Sequence, residues 1–524
     1  MEQPDSAPST DVLKKRVAEF AGRYLDTPSV PRRDKVIHDA LWGTQLLHRH
    51  EVAYLNTPLI QRLRRLHQTG FAFLTYPSTT HTRFEHSLGV LYQTDKLAKS
   101  LLEKYHAQEE LITRDTIVRL RLAALLHDCS HGPFSHTSEE IYRFFPEMQE
   151  YVKVGGEFES SSPSEVLAHF ILTSEPFRVF LARVREEIPI DVTPQWLSDT
   201  ILGLSLKKDP LSAHLGDIIN GPFDADKLDY IFRDGHYSGL PLGIDLDRLW
   251  YATEIHLIKP EELDGVPEPM RRLVMATSGI NSLEQIVGAR MNLTSSLYQH
   301  HKVRACDCML KAVFEYCISR QIPICGRRIE TAADFLYLTD FDVFSEAERH
   351  TDATVREMLQ NLVNRQLYKR ALVISMNTFE RGGTDKGTEE SEKLSLVYKV
   401  AFVTKDPTGA RKHRELAEKI WEAAGKPGLK EEVWLDFPSA PKLKDLSLTF
   451  INVGRQDTPE FKRLSEFVPL DQWGKQYVLN KWRGHVFCRP KYVEEVSRAA
   501  ESVLSSEFRV KFTPYARTLC NLSK

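Results

Sequence analysis

The stretch Leu122-Ala-Ala-Leu-Leu-His-Asp-Cys-Ser-His-Gly-Pro-Phe-Ser-His136 indicates how the rest of the chain is organised. An apolar run typical of a buried helix ends in His127 and Asp128, whose side chains can both bind a metal ion. His131 follows about one helical turn later and can therefore share a face with His127. The Gly-Pro pair then breaks the helix, because proline lacks an amide proton and clashes with the preceding turn.

A second helix is expected after this break. Ser135 stands at the position of its cap, and His136 and Glu139 are three residues apart, so they share one face. Groups with metal-binding or acid–base chemistry would then lie at the end of an apolar helix, where burial without a purpose is costly. A lone His-Asp pair is more often a helix-end hydrogen bond than a metal site, and His131 alone would be a structural histidine. Two further stretches of the chain supply additional candidate residues, and they favour a metal site over the structural alternative.

The first of these stretches is Thr82-Arg-Phe-Glu-His-Ser-Leu-Gly-Val90. His86 is followed by an apolar helical pattern, which leaves a structural role open for it. Arg83 precedes His86 by about one helical turn, and an arginine there suits a bidentate phosphate contact.

The second is Gly221-Pro-Phe-Asp-Ala-Asp-Lys-Leu-Asp-Tyr-Ile-Phe-Arg-Asp234. Charged and polar residues recur in it at helical spacing: Asp226, Asp229 and Arg233 in one set, Lys227 and Tyr230 in another. Alone, such a run is typical of a solvated helix face. Arg290 and the polar cluster 297–302 follow in a region with helical periodicity, where an exposed face is again the alternative.

Composition narrows the class of protein. The 524 residues exceed one ordinary domain, so a large helical domain and a smaller one are expected. A formal net charge of -3 gives no global basic surface for nucleic acid, although local phosphate binding stays possible. The seven cysteines form no Cys-X-X-Cys pair, which favours reduced thiols. With no apolar signal segment and no apolar run of membrane-spanning length, we expect a soluble, intracellular, cytoplasmic protein without membrane contact.

The chain is predicted to be mainly helical up to about residue 330. Residues 1–10 are expected to be disordered, and residues 34–47 predict two strands joined by a turn at Gly43. Periodicity predicts helical segments over 11–25, 58–70, 113–128, 135–151, 164–174, 194–206 and 271–320.

After about residue 330 the pattern changes to that of a smaller α+β module. Helices continue to about residue 366, and residues 381–393 predict a flexible loop. Strands are predicted over 370–375, 396–403, 432–437, 447–453 and 485–488, and helices over 409–424 and 491–505. We therefore expect an N-terminal tail with a short helix at 1–30, a helical core at 31–330 and a C-terminal helical and α+β module at 331–524.

Taken in order, these stretches resemble the HD-domain phosphohydrolase superfamily, and within it the deoxynucleoside triphosphate (dNTP) triphosphohydrolases. That group includes the dGTPases and the animal type that carries a SAM and an HD domain. The resemblance runs from about residue 35 to about residue 319. Five segments carry it: Lys35-Val-Ile-His-Asp-Ala-Leu-Trp-Gly43, Thr57-Pro-Leu-Ile-Gln-Arg-Leu-Arg64, and those at 82–90, 126–136 and 226–230. It implies a mainly α fold with an HD-domain helical core, and no SAM domain is expected before that core.

The resemblance implies a metal site formed by His86, His127, Asp128 and Asp226. Two imidazoles and two carboxylates leave open positions on a first-row transition metal such as Mn, Fe, Ni or Zn, where a substrate oxygen or water can bind. The mixed nitrogen and oxygen set does not select among these metals. A Mg²⁺ or Mn²⁺ ion travelling with the substrate phosphates is compatible with the same group.

The resemblance also implies roles in the reaction. Glu139 would orient His136, which would activate the attacking water or steer proton transfer. His131 would contact the α-phosphate or protonate the leaving oxygen. The residues matching the triphosphate contacts are Arg83, Lys227, Tyr230 and Arg290; those matching contacts to the sugar or base are Gln68, Asp234 and Tyr298. Attack at the α-phosphate in this group yields a deoxynucleoside and inorganic triphosphate.

The sequence departs from the group in two places. Some members carry a His-Glu pair where this chain has Ser164 and Glu165. The guanine activator site of the animal type is matched by four residues, namely Lys35, Val36, Gln61 and Arg64. Its acidic residue is replaced by Asn56, and the loss of a carboxylate acceptor for guanine N–H groups weakens the case for guanine-specific activation.

Three hypotheses follow for the function. The first is a metal-dependent dNTP triphosphohydrolase that forms a homo-oligomer. The second keeps the metal site but changes the substrate, as in an HD-type nuclease, phosphodiesterase or nucleotidase, because a nucleic-acid backbone could use the same cations. The third is a non-catalytic nucleotide sensor, against which the His136–Glu139 pair argues.

Overall fold

The computed structural model describes residues 10–26, 30–153, 155–156, 158–159, 161–263, 265–380, 395, 397, 407–441, 443, 446, 449–455 and 458–520. Within them the fold is mainly α, as predicted, and the strands form three small sheets. The predicted disordered tail (Thr10 aside), the predicted loop at 381–393 and, apart from Val397, the predicted strand at 396–403 lie outside the described residues.

The described part of the chain begins with a helix and a β-ribbon, both at the predicted positions. Helix α1 (Thr10–Tyr24) is followed by β1 (Lys35–Asp39), which pairs antiparallel with β2 (Gly43–Leu47). Gly43 has φ +73°, a conformation that glycine adopts without strain, so the turn falls where it was expected. Helix α2 (Arg49–Leu55) closes this segment.

The predicted helix at 58–70 is shorter in the structure. Helix α3 (Pro58–Gln61) is capped by the hydroxyl of Thr57, but the chain then tightens into a 3-10 turn at Arg62–Arg65. Arg62 donates to the backbone carbonyls of Cys129 and His131, 67 and 69 residues further on. These contacts with a distant segment hold the turn in place. The periodicity of residues 58–70 does not indicate them.

Seven helices form the centre of the fold. They are α4 (Arg83–Lys104), α5 (Arg114–Leu126), α6 (His136–Tyr142), α7 (Pro146–Val152), α8 (Pro163–Thr173), α9 (Glu175–Glu187) and α10 (Pro194–Ile201). A capping box between Thr82 and Glu85 begins α4. The single helix predicted at 135–151 is two helices, because Pro146 cannot continue a helix and instead begins a new one.

The region after α10 contains the helix expected from the spacing at 221–234, together with shorter helices and a strand pair that the sequence did not predict. Its helices are α11 (Ser205–Lys208), α12 (Ala213–Asp217), α13 (Ala225–Ser238) and α14 (Leu246–Ala252), and its strands are β3 (Thr253–Ile258) and β4 (Met270–Ala276). The predicted helical region at 271–320 is therefore wrong over its first residues. Strand β4 pairs antiparallel with β3 and parallel with a strand near residue 450, a pairing that sequence periodicity cannot show.

The remainder of that region is helical. Helix α15 (Ile280–Leu293) runs into a π-helical turn at Thr294–Tyr298, which is followed by α16 (His301–Ser319). Helices α17 (Asp340–Arg349) and α18 (Ala353–Val363) lie within the range predicted to be helical. π-Helical turns often occur at functional sites, and this one carries Tyr298.

The C-terminal module is α+β, as predicted. Its elements in order are β5 (Lys369–Ile374), α19 (Pro407–Ala423), β6 (Trp434–Asp436), β7 (Phe450–Asn452), β8 (Phe461–Arg463), α20 (Leu470–Asn480), β9 (Gly484–Cys488), α21 (Val493–Phe508) and α22 (Tyr515–Thr518). Strands order as β5-β9-β6 in one sheet and β3-β4-β7-β8 in another. None of the helices in the described part of the chain is both long and apolar enough to cross a lipid bilayer.

The hydrophobic core joins segments that are distant in sequence. The largest cluster of buried apolar side chains includes Phe20 of α1, Leu125 of α5, Phe314 of α16, Leu359 of α18 and Phe487 of β9. A second cluster lies within the C-terminal module, between β5, β9 and helices α19 and α21. The three-part division of the chain stays a prediction.

Candidate active site

Three side chains with metal-ligand chemistry converge between α4, the end of α5 and α13. Their ligand atoms, from His86, His127 and Asp226, all lie within 4.8 Å of one another. The Nε2 atoms of the two histidines are 3.3 Å apart, and Oδ1 of Asp226 lies 2.9 Å from Nε2 of His86 and 3.8 Å from that of His127. This is the chemistry and the spacing of a possible metal site.

Asp128, the fourth residue expected here, lies beside this cluster. Its carboxylate oxygens are 3.6 Å from Nε2 of His86, 3.5 Å from Nε2 of His127 and 3.1 Å from Nε2 of His131. Nη1 of Arg83 donates to the same carboxylate at 2.5 Å. Burial raises the pKa of Asp128, but Arg83, His127 and His131 together outweigh it and hold that pKa well below its usual value.

Both histidines are oriented by their second ring nitrogen. Nδ1 of His86 donates to Oδ2 of Asp229 at 2.8 Å, and Nδ1 of His127 donates to the carbonyl of Ala124 at 2.7 Å. Each Nε2 is therefore directed into the cluster, which is the usual arrangement of metal-binding histidines. Burial lowers the pKa of His86, but Asp226 and Asp229 raise it more, to about 10, so this cluster of carboxylates favours a cation at its centre.

A further layer of contacts supports Asp229. Arg233, one turn further along α13, donates to it at 2.8 Å and 3.0 Å, and Nε1 of Trp42 donates to it at 2.5 Å. Gly89 leaves room for it on α4, because a Cβ atom there would lie 1.8 Å from Oδ1 of Asp229. The sequence placed Asp229 on the correct helix but did not indicate its role, and Trp42 and Gly89 were missed, although both lie in segments that carried the family resemblance.

His136 and Glu139 form a hydrogen-bonded pair at the start of α6. Nδ1 of His136 lies 2.7 Å from Oε2 of Glu139, and the other oxygen of Glu139 accepts from Oγ of Ser164. Desolvation lowers the pKa of His136, but the hydrogen bond and charge of Glu139 raise it more, so the net shift is upward. Ser164 is the serine that departs from the family pattern; here it orients the glutamate, which the sequence did not predict.

The segment between His131 and His136 differs from the expectation. Helix α5 ends at Leu126, before the Gly-Pro pair, so His131 lies in the following turns and not on the helical face of His127. Ser135 precedes α6 as predicted, but its side chain makes no capping hydrogen bond. Oγ of Ser135 instead accepts from Nε of Arg83 at 2.8 Å and donates to the carbonyl of His67 at 2.7 Å.

The residues expected at the triphosphate are cationic or phenolic groups around this centre. Nη2 of Arg83 is buried and makes no hydrogen bond within the described part of the chain. Nζ of Lys227 donates to Asp224 at 2.5 Å and to the carbonyl of Gly221 at 2.9 Å. Burial raises the pKa of Tyr230, and the nearby charge of Arg290 acts in the opposite direction.

Two of the residues expected at the sugar or base, Asp234 and Tyr298, are joined by a hydrogen bond. Asp234 accepts from the hydroxyl of Tyr298 at 2.5 Å and lies 2.7 Å from Nε2 of His81. The His81 ring stacks on Tyr237, with ring centroids 4.6 Å apart. Gln68 is buried, and its backbone N–H donates to the carbonyl of His81. Sequence reasoning missed His81, although it directly precedes the stretch Thr82–Val90.

The four residues compared with an activator site lie in two places on the surface of the N-terminal segment. Lys35 and Val36 are exposed on β1, whereas Gln61 accepts from Nε of Arg64 at 2.9 Å. The guanidinium of Arg64 covers the ring of Phe84 at 3.5 Å from its centroid. No described contact joins the two pairs, and their shared role stays a prediction.

Comparison with known proteins agrees with this geometry. Residues 83–171 match the family model of the HD domain, and residues 268–511 match that of the HD associated region. The chain is 30% identical over 364 residues to the deoxynucleoside triphosphate triphosphohydrolase SAMHD1 of Bos taurus, an alignment that covers 64% of this chain and 58% of that protein.

Two other relatives extend the comparison. Over 360 residues the chain is 31% identical to the human SAMHD1 triphosphohydrolase, covering 64% of this chain and 54% of that protein. Over 465 residues it is 26% identical to the uncharacterized protein MJ1154 of Methanocaldococcus jannaschii, covering 88% of this chain and 81% of that protein. The chain thus spans little more than half the length of the SAMHD1 relatives. With the motifs, the fold and both family models in agreement, the chain belongs to the HD-domain family.

Proposed function

We infer that the protein is a metal-dependent dNTP triphosphohydrolase, which converts a dNTP and water into a deoxynucleoside and inorganic triphosphate. The observation that carries this inference is the hydrogen-bonded His136–Glu139 pair, next to a cluster of two histidines and two carboxylates. The resemblance to triphosphohydrolases supports the choice of substrate.

His86, His127, Asp128 and Asp226 would hold the metal ion. The donor set fits, because both histidines present Nε2 to the cluster while Nδ1 is fixed by Asp229 or by the carbonyl of Ala124. A Mn, Fe, Ni or Zn ion bound there would act as a Lewis acid toward a phosphoryl oxygen, with Mg²⁺ on the other substrate phosphates.

His136 would act as the general base. As water attacks the α-phosphorus, Nε2 of His136 takes its proton, and the carboxylate of Glu139 stabilises the imidazolium that forms. The bond from the α-phosphorus to the 5′-oxygen breaks on the side opposite the attacking water, that oxygen takes a proton from solvent, and the imidazolium of His136 releases its proton to solvent. Burial lowers the pKa of His131, which favours a neutral ring that contacts the α-phosphate.

The cationic groups would neutralise the triphosphate as charge develops on it. Arg83 is held by Asp128 and Ser135 but keeps a buried Nη2 for the substrate, and Lys227 is fixed by Asp224. Arg290 and Tyr230 complete this set. Asp234 and Tyr298 would face the sugar, where a tyrosine beneath the ring leaves little space for a 2′-hydroxyl.

The test uses the purified protein with each dNTP and each NTP, in the presence of Mg²⁺ or Mn²⁺, with products separated by chromatography. We expect deoxynucleoside and triphosphate in equal amounts, and no product from the Asp128→Ala variant. Formation of a monophosphate and pyrophosphate would contradict the proposed site of attack. Absence of nucleotide cleavage even with mixed dNTPs as activators, together with cleavage of single-stranded DNA or RNA, would favour the HD-type nuclease.

A further inference from the structure

Asp340 is a buried acidic residue that none of the motifs includes. It is the first residue of α17, its side chain is 0% exposed, and it lies more than 200 residues after the segment that it contacts. An ionised carboxylate without solvent must be matched by donors from the protein. The donors in this case come from two separate segments that border the candidate active site.

Three N–H groups converge on the Asp340 carboxylate. Oδ2 accepts from the backbone N–H of His67 at 2.8 Å and from Nδ1 of the same residue at 2.6 Å. Oδ1 accepts from the backbone N–H of Phe134 at 2.6 Å. The carboxylate therefore ties the segment at residue 67 to the segment that leads from His131 to His136.

The second of these segments is strained. Phe134 and Ser135 have φ values of +55° and +53°, in the left-handed region that residues with a Cβ atom rarely adopt. Two successive residues persist in such a conformation only where the surroundings determine it. Asp340 fixes the N–H of Phe134, and the ring of Phe134 stacks on Phe71 with centroids 4.2 Å apart.

The strained segment connects directly to the candidate catalytic groups. Oγ of Ser135 accepts a hydrogen bond from Nε of Arg83 and donates one to the carbonyl of His67. Nη1 of Arg83 donates to Asp128. His136 is the next residue. The position of the Phe134–Ser135 backbone thus determines where Arg83 and the His136 ring lie.

We propose that Asp340 is a positioning residue, which holds the Phe134–Ser135 turn so that His136 and Arg83 are set for attack on the α-phosphate. The assignment rests on the proposed function for the reaction, but the placement of the His136 ring is a property of the protein alone. Asparagine at this position keeps the size of the side chain but offers one acceptor oxygen, and its amide would face an N–H donor. The Asp340→Asn variant should therefore release the turn.

The experiment compares Asp340→Asn with Asp342→Asn. Asp342 is two residues further along α17 and accepts from the N–H and hydroxyl of Thr339 in the capping box of the same helix, so its loss weakens the helix end without touching the turn. We expect Asp340→Asn to lower kcat for dNTP hydrolysis by 10- to 100-fold, with KM and bound metal changed less than 3-fold, because small misplacement of reacting groups costs about this much. Asp342→Asn should keep kcat within 2-fold.

A second readout does not require activity. In protein labelled at the histidine rings, the NMR signals of His136, assigned by their loss in His136→Gln, should shift in Asp340→Asn and stay in place in Asp342→Asn. If the wild type cleaves no dNTP but the signals shift as described, the proposed function fails and the positioning role stands. Unchanged His136 signals and unchanged kcat in Asp340→Asn would overturn the positioning role. Should Asp340→Asn not fold, His67→Phe, which keeps the ring stack on Phe73 but loses the Nδ1 bond, should give a smaller change of the same kind.

Discussion

Arg304 in α16 is paired in a bidentate manner with Asp436 in β6, with Nε 3.0 Å from Oδ2 and Nη2 2.5 Å from Oδ1. The same guanidinium lies 3.2 Å from Glu140, which follows Glu139 on α6, and 3.2 Å from Asp307. Lys311 donates to the other oxygen of Glu140 at 2.6 Å. Three carboxylates and two cations thus join the helix of the His–Glu pair to the C-terminal module.

Removal of Arg304 should destabilise the protein strongly. Arg304→Met leaves three carboxylates facing one lysine, two of them almost fully buried, and breaking a buried ion network in this way costs about 3–5 kcal/mol. The measurement is urea denaturation near neutral pH. Arg178→Met serves as the control, because both side chains of the Arg178–Glu175 pair are exposed, at 60% and 75%, and the pair should contribute about 0–1 kcal/mol. Equal losses in the two variants would contradict the structural role of the network.

Gly89→Ala should weaken metal binding. The added methyl group would occupy the position of the Asp229 carboxylate, 1.8 Å from Oδ1, so Asp229 must move away from His86. Loss of such a supporting carboxylate lowers metal affinity by about 10–100-fold, which competition with a chelator measures.

Gly288→Ala is the matched control for that substitution. Gly288 lies within α15 and has open space around its Cβ position, so alanine should be neutral or should stabilise the helix by up to about 1 kcal/mol. A Gly89→Ala protein with wild-type metal affinity would show that Asp229 does not orient His86.

Glu139→Gln should change the pH dependence of turnover. A raised pKa keeps His136 protonated up to a higher pH than free histidine, and a base must be neutral, so kcat rises as pH increases through the pKa of His136. Removal of the carboxylate charge lowers that pKa. The acid limb of the pH profile of kcat should therefore move to lower pH, while the plateau falls about 10- to 100-fold.

Glu140→Gln tests whether the effect belongs to Glu139. Glu140 faces Arg304 and Lys311 instead of His136, so the acid limb should keep its wild-type position. An acid limb at the same pH in wild type and Glu139→Gln would remove His136 from the role of general base.

Arg290→Ala should reduce dNTP turnover without loss of the metal. Arg290 lies close enough to Tyr230 for its charge to act on the phenol, on the side of α13 that carries Lys227 and Asp226. We expect kcat/KM to fall by about 10-fold or more, while elemental analysis finds the wild-type amount of metal; His127→Ala should instead lose the metal. Turnover at the wild-type level would show that Arg290 does not contact the triphosphate.

Local sequence patterns predicted a large part of the fold and several residues of the candidate active site. Helical periodicity indicated α1, α5, α8 and α19. The turn at Gly43 was predicted from the residues adjacent to it. His127, Asp128, His136 and Glu139 lie within one short stretch, where spacing along the chain translates directly into proximity. Such inferences succeed because they involve contacts between residues close in sequence.

The residues that were missed depend on contacts between distant segments. Ser164 reaches Glu139 from α8, His81 reaches Asp234, and Asp340 reaches Phe134, each across 25 residues or more. The strand at 270–276 was predicted as helix for the same reason, because its pairing with β7 lies outside any local window. Periodicity carries no information about partners of this kind.

The parallel pairing of β4 with β7 also bears on how the protein is made. Val274 is paired with Phe450, and Phe487 belongs to the same apolar core as α1 and α5. A nascent chain on the ribosome therefore exposes apolar surface of the HD core until nearly the last strand has emerged. Premature termination after residue 330 would release a chain that contains every proposed metal ligand but lacks the partners that close its core, and we expect such a fragment to aggregate or be degraded.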